Sequence, residues 1–157
     1  MNKIGLGYDI HRLKKGRRFL LGGAEIPFSK GELGHSDGDA LAHAVCDALL
    51  GAAAQGDIGE LFPPSDPKYK NADSMYLLRK VFERVKNAGW RLVNLDCVII
   101  CEKPKILPFR NVIRKSLAAA LEVSEDCIFL KGKTAEGLGQ VGKGNAVEVY
   151  AVCLLEK

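Results

Sequence analysis

The chain has 157 residues, 47% of them apolar and 27% charged, with a net charge of +4. That length fits one domain able to bury a core, and that composition excludes a disordered chain. A membrane span is excluded as well, because the longest apolar stretch, residues 40–54, is broken by His43 and Asp47.

Residues 2–12 alternate apolar with polar and read as a strand. No leader-like segment precedes them, so a cytoplasmic location is expected. The basic run Lys14, Lys15, Arg17 and Arg18 around Gly16 reads as a solvated turn rather than a nucleic-acid patch. Short strands are predicted at 19–21 and 24–27 around Gly22-Gly23, then a polar, Gly-containing loop at 29–37. The first helix is predicted over 38–54. A turn-rich segment with Gly56, Gly59, Pro63, Pro64 and Pro67 follows. Asp73 and Ser74 cap a second helix that ends near Gly89. Residues 93–102 read as a strand, and Pro104 and Pro108 separate it from a third helix over 109–122. The last strands are predicted at 127–134 and 146–155.

This order predicts a single α+β domain, a mixed sheet with its helices on one face, in a ferredoxin-like layering. Residues 97–101 and 151–155 are apolar on both faces. Helices cover one face of such a sheet, so the other is expected to pack on a second subunit. The five cysteines form no Cys-x-x-Cys pair and read as reduced, buried hydrophobes, not as a zinc site.

All three histidines lie within residues 11–43. Asp9 and His11 are two apart on a strand, so their side chains leave the same face. His43 lies on the first helix between Asp39 and Asp47 at spacings of four, which puts three polar residues on one stripe of an apolar helix. Two imidazoles and a carboxylate suit a catalytic zinc site with an open position. They equally suit the facial triad of a non-haem iron oxygenase. Asp39 or Asp47 is expected to orient the His43 ring. His35 and Ser36, at the start of the helix, have donors for a phosphate. Lys131, Lys133, Thr134 and Glu136 precede a Gly-rich loop able to cradle phosphate. Gly132-Lys133-Thr134 matches only the tail of a Walker motif, because Cys127 stands where its first glycine belongs.

With these residues in view, the chain resembles the 2-C-methyl-D-erythritol 2,4-cyclodiphosphate synthase family over essentially its whole length. The resemblance is carried by Gly7-Tyr8-Asp9-Ile10-His11, His35-Ser36-Asp37-Gly38-Asp39, and His43 with Asp47-Ala48-Leu49-Leu50-Gly51. It continues through Gly56-Asp57-Ile58-Gly59, Leu61-Phe62-Pro63, Asp73-Ser74, Pro104-Lys105 and Thr134-Ala135-Glu136. It implies a homotrimer with active sites between subunits, acting on the cytidine diphosphate ester of methylerythritol 2-phosphate and releasing CMP. It implies Zn2+ on Asp9, His11 and His43, and a second ion, Mg2+ or Mn2+, on Glu136. His35 and Thr134 would steady the reacting phosphates. Substrate would lie along Asp9, His11, His35 and Ser36, and along Asp57, Ile58, Gly59, Phe62, Ser65 and Asp66. The remainder would meet Cys101, Lys105, Ile106, Leu107, Lys133, Thr134, Glu136 and Lys143, with Lys105 at the cytidine. No nucleic acid or membrane partner is implied. Departures from the family pattern are Pro64, Lys133, Ala135, Gln140, and Lys143 where arginine is common. An RNA-binding reading ranks far lower, because such modules need exposed aromatics on adjacent strands and the predicted strands offer mainly Cys, Val and Ile.

Overall fold

In the computed structural model, which covers all 157 residues, the alternating N-terminal segment forms one long strand, β1 (Asn2–Lys15). It runs antiparallel to β7 (Ala146–Glu156), from Asn2 opposite Glu156 to Arg12 opposite Ala146. β5 (Arg91–Ile100) pairs antiparallel with the other side of β7, and β6 (Ile128–Lys133) runs parallel to β5. β4 (Lys30–Leu33) closes the far edge against the end of β1, giving the order β4-β1-β7-β5-β6. β2 (Phe19–Leu21) and β3 (Ala24–Ile26) form a separate hairpin. Its turn residues Gly22 and Gly23 have φ of 58° and 79°, values that favour glycine.

Three helices cover one sheet face: α1 (Ala40–Ala53), α3 (Ser74–Asn87) and α4 (Arg110–Ala120). A parallel pair needs a crossover, and α4 supplies it between β5 and β6. Two four-residue helices, α2 (Ile58–Leu61) and α5 (Gly139–Gly142), sit where the sequence pattern predicts only loop. The expected layering is therefore present, but the connectivity is not that of a ferredoxin-like βαββαβ unit. Apart from the small hairpin, β4 and the two four-residue helices, the order is β-α-α-β-α-β-β, with the last strand inserted between the first and second. The loop expected at 29–37 contains β4, because β1 runs past residue 12 and takes an edge partner.

The inner sheet positions, among them Cys97, Ile99, Val149, Ala151, Cys153 and Leu155, are buried beneath the helices. The outer face is apolar and open: Ile4 is 74% and Leu6 64% exposed, beside Tyr8, Ile10, Tyr150 and Val152. All five cysteines are free, and four are buried. No helix is long and apolar enough to cross a membrane.

Candidate metal centre

Four inward positions of β1, Gly5, Gly7, Asp9 and His11, build the site. A Cβ on Gly5 would stand 1.8 Å from the Ala48 carbonyl oxygen, and one on Gly7 1.8 Å from that of Ala44. The two glycines thus let the backbone of α1 rest on the strand. The next two inward side chains, Asp9 and His11, are thereby brought to His43, the neighbour of Ala44. Asp9 Oδ2 lies 3.0 Å from His11 Nδ1 and 3.1 Å from His43 Nδ1. Gly34 leaves room for the His11 ring, since a Cβ there would meet Nε2 at 2.8 Å.

Each of the three residues offers a ligand atom, and these atoms lie within 4.8 Å of one another. Tetrahedral zinc with bonds of about 2.0–2.1 Å separates its ligands by about 3.3 Å. His11 Nδ1 is buried and makes no hydrogen bond, although a carboxylate oxygen stands beside it. A cation between the two would satisfy both, so the donor set fits a divalent metal. Burial pushes the Asp9 pKa up, but His11 and His43 outweigh it and hold it below the ordinary value. Burial pushes His43 down, but Asp9 outweighs it and raises the imidazole. A metal on His43 competes with a proton for the same lone pair.

Neither Asp39 nor Asp47 orients His43, contrary to the expectation from helical spacing. Asp39 is the fully buried N-cap of α1 and accepts from the N–H groups of Ala42, Gly22 and Gly23 at 2.7–2.9 Å. Asp47 accepts from Ile58 N–H at 2.8 Å and fastens α2 to α1. His43 Nε2 instead meets Ser74 Oγ at 2.8 Å and Ser36 Oγ at 3.0 Å, and Ser74 Oγ in turn donates to Asp37. Ser74 reads in the sequence only as a helix cap. Its contact with His43 is tertiary and leaves no local signal.

Two separate clefts gather the other expected residues. The first, about 180 Å³, is lined by His11, His35, Ser36, His43, Ile58, Gly59 and Phe62, joined by Pro64, Tyr69 and Leu77. The second, about 260 Å³, is lined by Cys101, Lys105, Ile106, Leu107, Lys133 and Thr134, joined by Glu102, Pro104, Arg110 and Gly132. Each is below the roughly 300–1,000 Å³ typical of small-molecule sites. Several expected residues line neither cleft. Asp57 caps α2 through Glu60 N–H, Asp66 caps the turn Pro67–Tyr69, and Ser65 lies exposed between them. Glu136 is exposed beside Thr134, at a φ of 53°. Lys143 borders a different hollow with Lys30 and Glu102.

Comparison with known proteins identifies the family. The YgbB family profile matches residues 2–156. A 2-C-methyl-D-erythritol 2,4-cyclodiphosphate synthase from Treponema denticola is 58% identical over 153 residues, covering 98% of this chain and 95% of that relative. Among solved structures, the CDP-bound form of a 2C-methyl-D-erythritol-2,4-cyclodiphosphate synthase is 41% identical with a TM-score of 0.90. The match covers 98% of this chain and all of that one. The bifunctional IspDF of Campylobacter jejuni is 39% identical with a TM-score of 0.95, and the match spans 99% of this chain but only 42% of that longer one. The chain belongs to the YgbB family, that of the 2-C-methyl-D-erythritol 2,4-cyclodiphosphate synthases.

Proposed function

We propose that the chain cyclises 4-diphosphocytidyl-2-C-methyl-D-erythritol 2-phosphate to 2-C-methyl-D-erythritol 2,4-cyclodiphosphate and releases CMP. The observation that carries this reading is the Asp9–His11–His43 group opening onto a cleft that also holds His35, Ser36, Ile58 and Gly59. An oxygen of the 2-phosphate attacks the β-phosphorus. The bond from that phosphorus to the oxygen bridging to the CMP phosphate breaks, and its electron pair leaves with CMP. Such a transfer needs positioning and charge neutralisation more than covalent help. Asp9, His11 and His43 would hold Zn2+, which would supply Lewis-acid polarisation, and Glu136 would hold Mg2+ or Mn2+, which would supply charge neutralisation for the diphosphate.

His35 and Thr134 hold the reacting phosphates. Asp57 and Gly59 take the substrate hydroxyls, and Lys105 with Ile106 and Leu107 takes the cytidine. Folding both ends of one substrate together supplies effective molarity of up to roughly 10⁵–10⁸ M. The two clefts are each small, and the outer sheet face is apolar and open. Both features support a homotrimer in which the metal cleft of one subunit meets the second cleft of its neighbour. Five free thiols suit a reducing, cytoplasmic setting. The iron-oxygenase alternative is set aside, because the relatives from Treponema denticola and among the solved structures carry synthase names.

Phosphorus NMR of the protein with the cytidine diphosphate substrate, zinc and magnesium tests the reaction. CMP and the cyclic diphosphate should appear in equal amounts. Unchanged substrate, or a linear hydrolysis product, would contradict it.

A further inference from the structure

We infer that Ser74 and Asp37 are positioning residues that fix which ring nitrogen His43 offers to a metal. The inference rests on the metal role of His43 proposed above. Hydrogen-bond polarity sets the assignment. A carboxylate only accepts, and a serine hydroxyl has one proton to give. Asp37 Oδ1 receives the Ser74 hydroxyl, and Oδ2 receives the Ser74 backbone N–H at 2.9 Å. With its proton spent on Asp37, Ser74 Oγ can only accept from His43 Nε2, 2.8 Å away. Nε2 therefore carries the ring proton in a neutral His43. Nδ1 is left with a lone pair, facing Asp9 Oδ2 at 3.1 Å.

Ser36 Oγ, 3.0 Å from the same Nε2, shares that N–H as a second acceptor. Ser74 has no exposed surface, so bulk water cannot take its place beside the ring. The relay joins three separate parts of the fold: the first residue of α3, the loop before α1, and α1 itself. Outer partners of this kind orient a metal-bound histidine and raise its basicity, and their loss typically weakens metal binding by 10–100-fold. The competing structural role is that Ser74 only docks Asp37 against the start of α3.

Zinc dissociation constants by chelator competition on the intact protein separate the two roles. Ser74→Ala should bind zinc about 10–100-fold more weakly, while Ser74→Thr should restore binding to within a few-fold of wild type. Long-range proton–nitrogen NMR of the zinc-loaded wild type, which needs no variant to fold, should show the His43 proton on Nε2. Wild-type affinity in Ser74→Ala, or a proton on Nδ1, would overturn the relay while leaving the metal site standing. A wild type that binds no zinc would overturn both.

Discussion

Glu32, on β4, has no exposed surface, and it lies close to a second buried carboxyl, Asp39. One Glu32 oxygen accepts from Leu20 N–H at 2.9 Å, and the other has no partner. Burial first, and Asp39 second, push its pKa up to about 9. The folded protein therefore keeps a proton that the unfolded chain releases near the ordinary carboxyl value. Stability from this group is full below that ordinary value and is lost as pH rises toward about 9. The slope reaches up to about 1.4 kcal/mol per pH unit. Denaturant unfolding of the metal-free protein at pH 6 and 8.5 should show wild type losing more stability than Glu32→Gln over that interval. Equal losses would mean that Glu32 is ionised in the folded state.

At the scale of elements, the placement of the metal residues depends on how closely α1 lies on β1. Gly7→Ala would drive a methyl into the Ala44 carbonyl. It should cost about 1–3 kcal/mol or more, as overpacking does, and weaken zinc binding by shifting His43. Gly51→Ala, on the exposed side of the same helix with nothing within 4 Å, should instead stabilise by about 0.5–1 kcal/mol. Thermal melts and zinc titration of the pair check both directions. The α1–β1 unit is legible in the sequence because its periods are long and regular: two along β1, and near four through Asp39, His43 and Asp47. Asp9, His11 and His43 stand out for that reason. β4, α2 and α5 have four residues each, too few to show a period. The Ser74–His43 contact spans 31 residues, and the true partners of Asp39 and Asp47 are backbone N–H groups. No spacing rule encodes either.

For the whole molecule, the proposed homotrimer would cover the apolar outer face and unite the two clefts. Wild type should sediment at about three times the 17.1 kDa chain mass. Leu6→Asp leaves the isolated fold intact, because Leu6 is 64% exposed. It should nevertheless shift the protein to monomer, since an interface would bury an unpaired charge. A wild-type monomer would remove the proposed partner of that face. Subunit complementation between one variant disabled at the metal cleft and another disabled beside the second cleft tests the shared site most directly. His43→Ala and Glu136→Gln trimers should each be inactive when measured alone by CMP release. Unfolded together in equal amounts and refolded with zinc and magnesium, they should recover about a quarter of wild-type activity. That fraction follows because an intact metal cleft then meets an intact neighbour at about one interface in four. No recovery from well-folded mixed trimers would place both clefts' contributions within a single chain and contradict a site shared between subunits.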